Sequence, residues 1–156
     1  MIGSTILSLL ISSGQVVDIP KEQLECLALN VYYEARSESE LGKIAVTHVV
    51  LNRVKSNKYP NTPCDVIKKS KYENGSPKKG ACHFSWFCDG KPDKPVNTKA
   101  WTRAVKSAYD AYVLYLIGMD VTSNSVMYHA TYVKPYWKSS YKRITRIDNH
   151  IFYGEK

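Results

Sequence analysis

The segment from Leu41 to Lys55 is apolar around most of its circumference when it is drawn as a helix. Its apolar residues are Ile44, Ala45, Val46, Val49, Val50, Leu51 and Val54. A helix that is apolar on nearly every side must be buried, so this pattern predicts a central core helix that the rest of the chain surrounds. A chain of 156 residues fits one domain of sufficient size to bury such a helix.

A second helix is predicted immediately before the core helix. Asp18 is a candidate N-cap and Pro20 falls in the first turn, so this helix runs to about Ala35. Between the two helices, Ser37 and Glu40 have the spacing of a capping box. The two helices therefore meet at a tight turn, which is a favourable place for a cleft.

Glu34 lies at the edge of the apolar stripe of this second helix. The stripe consists of Leu24, Leu27, Ala28, Val31 and Ala35. A carboxylate on such a border is partly desolvated, and desolvation raises its pKa toward the range that a general acid needs at neutral pH. The alternative is a surface ion pair between Glu34 and Arg36, near the end of the helix.

The rest of the chain divides into an irregular half and a mixed tail. Residues 59–95 contain five of the seven prolines and are predicted to form a long loop with short elements. A third helix begins at Asn97 or Thr98 and ends near Gly118. Short strands are predicted at 126–130, 144–147 and 151–153. The predicted fold class is α+β, mostly helical, with one loop-rich segment and a few short strands.

The charge and the N-terminus narrow the choice of partners. The net charge of +8 favours a polyanion, but no helix-turn-helix, zinc-finger or RNA-recognition pattern accompanies it, so nucleic acid is not predicted as a partner. Residues 1–15 are apolar but too short to span a membrane, so no stable membrane insertion is predicted. They are interpreted as a short helix that covers the core, with a weak export signal as the alternative.

The four cysteines are an even count without the spacing of a redox or zinc motif. In an oxidising compartment we expect at least one disulfide, joining Cys64 to Cys82 or Cys88 within the irregular half. Cys26 is expected to pack in its helix as a thiol. Four reduced thiols are the alternative in a reducing compartment.

The histidines do not form a recognisable metal motif. Neither HxxxH nor HExxH spacing is present, so no metal or other cofactor is predicted. His83, His129 and His150 are scattered along the chain and leave a zinc amidase as an alternative enzyme class.

A series of short motifs resembles a known family of enzymes. After Glu34-Ala35-Arg36 come Gly42-Lys43-Ile44-Ala45-Val46, Val50-Leu51-Asn52-Arg53-Val54, Tyr59-Pro60-Asn61-Thr62-Pro63-Cys64, Phe84-Ser85-Trp86-Phe87-Cys88-Asp89-Gly90, Met127-Tyr128-His129-Ala130, Pro135-Tyr136-Trp137 and His150-Ile151-Phe152-Tyr153. In this order they resemble the SleB/CwlJ family of cell-wall hydrolases, the spore-cortex-lytic type that also occurs in phage lysis enzymes. Two departures are His83, where the family usually has Gln, and Ser37-Glu38-Ser39 in place of Gly-Glu-Pro.

This resemblance implies a fold and an activity. The fold is that of lysozyme-like lytic transglycosylases, in one catalytic domain over residues 1–156, with 1–20 as a helix or extension and 21–153 as the hydrolase domain. The activity is cleavage of the glycan bond between N-acetylmuramic acid and N-acetylglucosamine, leaving a 1,6-anhydro-muramic product. Glu34 is implied as the catalytic acid. The candidate substrate-binding residues are Tyr33, Ser85, Trp86, Tyr128, His129 and Trp137, although core packing alone also explains each ring.

The implied partner is peptidoglycan, bound by a monomer that acts at the cell wall, in the periplasm or outside the cell. A phage lysis enzyme of this type is made in the host cytoplasm and needs a holin-type partner for release. The alternatives are a hydrolytic muramidase, a zinc-dependent amidase of the muramic acid–alanine bond and a non-catalytic wall-binding module.

Overall fold

The structure, a computed structural model, describes residues 6–10 and 16–156, with side chains from Val17 onward. The helices are α1 (Lys21–Ala35), α2 (Glu40–Lys55), α3 (Pro63–Ile67) and α4 (Thr98–Leu116), with 3-10 helices at Ser85–Cys88 and Tyr136–Ser140. The strands are β1 (Ile6–Leu10), β2 (Val16–Pro20), β3 (Tyr72–Glu73), β4 (Ser76–Pro77), β5 (Met127–Ala130), β6 (Lys142–Ile147) and β7 (His150–Gly154). The predicted α+β, mostly helical class is confirmed.

The central core helix is α2, as its sequence pattern predicts. It packs against α1 and α4, and Ala45, Val46, Val49 and Val50 are fully buried. This burial supplies much of the apolar driving force for the fold. Because α2 is enclosed on several sides, a polar side chain that projects from it must find its partner inside the protein.

The cap of α2 differs from the predicted capping box. Ser39, rather than Ser37, is the N-cap, and its Oγ accepts a hydrogen bond from the backbone N–H of Gly42 at 3.2 Å. Asp148, in the turn between β6 and β7, accepts from the backbone N–H of Ser39 at 2.9 Å. Glu38 accepts from the backbone N–H of Asn149 at 3.2 Å. These contacts from a distant turn decide which serine caps the helix, and local spacing does not reveal them.

The predictions for the N-terminal part were wrong where the structure describes it. Ile6–Leu10 is a strand, not a helix, and it pairs antiparallel with Val16–Pro20. Asp18 lies within the second strand and does not cap α1, whose N-cap position is Pro20 without a side-chain cap. A short apolar run fits a strand or a helix equally well, and here the pairing of β1 with β2 makes it a strand. Residues 1–5 and 11–15 of the predicted helix lie outside the described residues.

One disulfide ties α1 to α3, and its pairing was predicted wrongly. Cys26 bonds to Cys64, with 5.3 Å between the two Cα atoms, while Cys82 and Cys88 are free thiols. Cys26 lies on the face of α1 that packs against the short helix α3, which begins just before Cys64. The sequence does not reveal this contact between α1 and α3, so a prediction based on the cysteines of the irregular half chose the wrong partner for Cys64.

The tail forms a three-stranded antiparallel sheet in the order β5-β7-β6, and α4 packs behind α1 and α2. All three predicted strands and the third helix are confirmed. Asn97 caps α4 by accepting from the backbone N–H of Ala100 at 2.9 Å, and Gly118 follows its end at a φ of 84°. None of the helices in the described part of the chain has the length and apolar character of a membrane span.

Candidate active site

An open cleft of about 610 Å³ lies between the C-terminal end of α1, the 3-10 helix at Ser85–Cys88, and the β5 and β7 strands. All seven residues predicted for the site line this cleft: Tyr33, Glu34, Ser85, Trp86, Tyr128, His129 and Trp137. They come from four separate parts of the chain, and the fold brings them together. Their individual roles stay predictions.

Glu34 lies in the last turn of α1 and faces the cleft. Burial raises the pKa of its carboxyl group to about 7, against a smaller opposing effect from the positive charge of Arg53. Within the described residues, it forms no hydrogen bond or ion pair. At neutral pH a substantial fraction of the carboxyl is therefore protonated and free to donate to a ligand.

The alternative ion pair between Glu34 and Arg36 does not form. The guanidinium carbon of Arg36 lies 4.8 Å from the centre of the Tyr32 ring, in a cation–π contact. Glu34 and Arg36 therefore lie in different surroundings, and no surface ion pair sets the pKa of Glu34.

Arg53 is the only buried cation that lines the cleft within the described residues. It is 4% exposed, and its Nε donates to the backbone oxygen of Val126 at 2.7 Å. Its guanidinium carbon lies 5.2 Å and 5.1 Å from the rings of Tyr59 and Phe84. Its Nη1 has no hydrogen-bond partner among the residues that the structure describes. A buried donor without a partner costs free energy, unless a ligand or water in the cleft accepts from it.

Asn30 connects the two walls of the cleft from below. It is 1% exposed and lies one helical turn before Glu34. Its Oδ1 accepts from Trp86 Nε1 at 3.1 Å, and its Nδ2 donates to the Tyr128 hydroxyl at 3.5 Å. The Trp86 ring stacks on Tyr33 at 4.9 Å between ring centres. This network fixes the aromatic side chains on both sides of the carboxyl.

The opposite wall is an aromatic cluster around His129. Its Nδ1 lies 2.7 Å from the backbone oxygen of Ala130, which can only accept, so the proton is assigned to Nδ1. Nε2 then accepts from the Tyr153 hydroxyl at 2.8 Å. The Trp137 ring lies 5.7 Å from the His129 ring. His129 thus orients its neighbours, and both of its ring nitrogens are occupied.

Only one other carboxylate lines the cleft within the described residues. Asp89 lies there in an exposed position, where its Oδ1 accepts from the backbone N–H of Lys91 at 2.8 Å. Asp65, also in the irregular half, lies in α3 and does not line the cleft. Glu34 is therefore the single desolvated acid of this site.

No three His, Cys, Asp or Glu side chains converge as metal ligands in the part of the chain that the structure describes. His83 and His150 both line the cleft. Burial, Arg53 and Lys69 lower the pKa of His83, and burial lowers the pKa of His150, so both are mostly neutral near pH 7.

Sequence reasoning missed Asn30 and Arg53, although each leaves a signal. Asn30 is a polar residue on the buried side of α1, four residues before Glu34. Arg53 is a cation near the end of a helix that is otherwise apolar on most sides. A buried polar group is expected to have a specific hydrogen-bond partner. Asn30 and Arg53 therefore each indicate a polar contact inside the protein.

The comparisons with known proteins agree on one group of enzymes. Residues 37–153 match the family model described as Cell Wall Hydrolase, a match that begins three residues after Glu34. The spore cortex-lytic enzyme of Bacillus cereus is 30% identical over 133 residues, which is 85% of this chain and 44% of the enzyme. The chain thus spans less than half the length of the curated relatives it matches.

Two solved structures are similar as well. The catalytic domain of the germination-specific lytic transglycosylase SleB from Bacillus anthracis is 29% identical, with a TM-score of 0.66, over 86% of this chain and 96% of that domain. The catalytic domain of the Bacillus cereus SleB protein is 30% identical, with a TM-score of 0.61, over 85% and 90% of the two chains.

Proposed function

Because the chain belongs to the cell wall hydrolase family, we propose that it degrades peptidoglycan as a lytic transglycosylase. The bond cleaved is the glycan bond between N-acetylmuramic acid and N-acetylglucosamine. The observation that carries the proposal is Glu34, a desolvated carboxyl group with a pKa raised to about 7 at the floor of an aromatic cleft.

Glu34 performs two proton transfers in this mechanism. In its protonated form it donates to the glycosidic oxygen as the bond to C1 of muramic acid breaks. The resulting carboxylate then removes the proton from the C6 hydroxyl of the same sugar, whose oxygen closes a 1,6-anhydro ring on C1. Glu34 is protonated again at the end, and no water is consumed. Burial favours the acid form at the start, and the charge of Arg53 stabilises the anion in between.

The carboxylate count supports ring closure over hydrolysis. Hydrolytic glycosidases usually place two carboxyl groups about 5–9.5 Å apart across the scissile bond. In the described part of this cleft the only second carboxylate is the exposed Asp89, already bound to a backbone N–H. Transglycosylation needs one such group, which is what Glu34 supplies.

The aromatic walls fit a sugar chain. Tyr33, Tyr128 and Trp137 are half-buried and offer ring surface to the cleft, whereas Trp86 is 7% exposed and supports Tyr33 from behind. Aromatic rings with polar edges bind sugar faces and hydroxyl groups together. We assign substrate binding to these rings, with Ser85 as a polar contact at the same walls. His129, whose two ring nitrogens are already bonded, holds the neighbouring Tyr153 side chain in place.

The disulfide and the net charge support a compartment and a partner for the enzyme. A disulfide is typical of an oxidising compartment, which supports action at the cell wall, in the periplasm or outside the cell. A net charge of +8 suits a wall that carries stem-peptide carboxylates. Action as a monomer, a role in phage lysis and a holin-type partner rest on the family resemblance alone.

Mass spectrometry of digested peptidoglycan tests the proposal. Purified peptidoglycan is digested with and without EDTA, and the products are identified by mass. We expect 1,6-anhydro-muropeptides in equal yield in both samples. Reducing muramic acid ends would identify a muramidase, released stem peptides with loss of activity in EDTA would favour a zinc amidase, and the absence of any cleavage product would favour a binding module.

A further inference from the structure

Two free thiols meet at the wall of the cleft that carries Trp86. Cys82 is half-buried and lines the cleft, and its sulfur lies 3.1 Å from the Ser70 hydroxyl oxygen. Cys88 is buried at the end of the 3-10 helix and shares a hydrogen bond with the Cys82 thiol. The mechanism proposed above uses neither sulfur.

The surroundings of the two sulfurs differ in a way that favours exchange chemistry. Burial opposes the Cys88 thiolate, but hydrogen bonds from the Cys82 thiol and from the backbone of Gly80, Ala81 and Cys82 outweigh it and lower its pKa. Burial and the hydrogen bond with Cys88 raise the pKa of Cys82. A buried thiol with a lowered pKa thus lies next to a thiol that faces the open cleft.

We propose that Cys82 and Cys88 are a dithiol–disulfide pair that closes in an oxidising compartment and stiffens the Trp86 wall of the cleft. The Cys26–Cys64 disulfide supports this, because a chain that forms one disulfide meets an oxidising environment. The two residues bracket the segment His83–Phe87, whose members Phe84, Ser85 and Trp86 line the cleft.

The chemistry balances with a disulfide of the glutathione type as the oxidant. Cys82 loses its proton to solvent, and its thiolate attacks the glutathione disulfide, forms a mixed disulfide and releases one glutathione thiolate. The Cys88 thiol then loses its proton to solvent and attacks the Cys82 sulfur, releasing the second glutathione. Two protein thiols are oxidised to one disulfide, and one glutathione disulfide is reduced to two thiols. The order follows from access, because only Cys82 faces the cleft.

Closing this disulfide ring restricts the 82–88 segment mainly in the unfolded chain, and this stabilises the folded state. The loop from Cys82 to Cys88 contains seven residues. The chain-entropy model predicts that such a loop raises the midpoint of thermal unfolding by roughly 5–9 °C for a domain of this size. The consequence for lysis rests on the proposed function: the oxidised enzyme should keep its wall-lytic activity through a heat treatment that inactivates the reduced one.

Peptide mapping of the intact protein in glutathione buffers of increasing oxidising strength tests the pair. After alkylation and tryptic digestion without reduction, both cysteines fall in the single peptide Gly80–Lys99, because the bonds after Lys91 and Lys94 precede proline and are not cleaved, whereas Cys26 and Cys64 link two other peptides. We expect the Gly80–Lys99 peptide to become unalkylated and two hydrogen atoms lighter than its dithiol form. Two alkylated cysteines in the most oxidising buffer, or a glutathione that stays on Cys82, would overturn the proposal.

Thermal unfolding of the same samples, with the Cys26–Cys64 bond verified intact, tests the stiffening. The oxidised form should unfold at the higher temperature, and Cys88→Ser and Cys82→Ser should each abolish the difference between the two buffers. An equal midpoint in both forms of the wild-type protein would overturn the stiffening. Lysis separates the two proposals: absence of wall cleavage in both redox states contradicts the enzyme function, while the peptide masses still decide whether the disulfide forms.

Discussion

Arg53 lies close enough to Glu34 to lower the pKa of its carboxyl group, yet forms no ion pair with it. The separation matters for an acid that must also act as a base. A direct ion pair would hold Glu34 as a carboxylate and remove the proton it needs for the first step. Complete isolation would make the carboxylate too costly to form. The observed arrangement leaves the two forms balanced near neutral pH.

Neutralising Arg53 should move the pH dependence of the reaction. The first step needs protonated Glu34, so activity should fall as pH rises through about 7. Arg53→Gln removes the positive charge that favours the carboxylate, so this alkaline limb should shift to higher pH. Arg53→Lys keeps a charge and should leave the limb near its wild-type position. A pH–rate profile of kcat/KM for the three proteins decides it, and an unmoved limb in folded Arg53→Gln would exclude the electrostatic role.

The same pKa shift predicts a pH-dependent effect on stability. The carboxyl of Glu34 binds its proton more tightly in the folded protein than in the unfolded chain, so its ionisation destabilises the folded state as pH rises from about 4.5 to about 7. The difference amounts to at most about 3 kcal/mol above that window. Glu34→Gln should therefore be more stabilising at pH 8 than at pH 5. Denaturant unfolding at both pH values measures this, and an equal effect at the two would argue against a buried acid.

The disulfide between Cys26 and Cys64 should contribute strongly to stability. It closes a separation of 38 residues, for which the chain-entropy model predicts about 4 kcal/mol. The double variant Cys26→Ala and Cys64→Ala should lose about that much of the free energy of unfolding. Cys82→Ala is the matched control in a buffer that leaves Cys82 and Cys88 as thiols and the Cys26–Cys64 bond intact, where it removes only a half-buried thiol and should lose far less. Equal losses in the two proteins would mean that the cross-link adds nothing.

Removing the Asn30 amide should loosen the cleft. In Asn30→Leu the Trp86 indole N–H loses its acceptor, which costs about 1–3 kcal/mol when the donor stays buried. The Tyr128 hydroxyl loses its partner as well. We expect a lower melting temperature and a higher KM for soluble glycan fragments. Asn30→Asp, which keeps the acceptor for Trp86, should retain more substrate affinity, and equal KM values for all three proteins would remove this network from substrate binding.

The core and most of the regular elements were predictable because they depend on local patterns. The apolar circumference of α2 specifies a buried helix wherever it occurs, and Asn97 and Gly118 mark the two ends of α4. The N-cap of α2 was not predictable, since Asp148, more than a hundred residues away, contacts Ser39. The partner of Cys26 was unpredictable for the same reason, because it depends on how α1 packs against α3.

The site was predictable only in part. The ordered motifs predicted Glu34 and six further site residues, and all seven line one cleft, while their roles stay predictions. Asn30 and Arg53 were missed, because their contribution depends on contacts with Trp86, Tyr128 and Val126 that only the folded chain creates. Helical spacing places a polar residue on a buried face, but it does not say what that residue bonds to.

The Glu34→Gln variant tests the central claim most directly. The amide keeps the shape of the side chain but cannot donate the proton or later remove one, so the release of 1,6-anhydro-muropeptides should fall by about 10²–10⁴-fold. Glu40→Gln, an exposed change at the start of α2, is the matched control and should keep the wild-type rate. Product release and thermal unfolding are measured on the same preparations. The account predicts a folded, inactive Glu34→Gln protein, and a folded variant that releases product at the wild-type rate would contradict it.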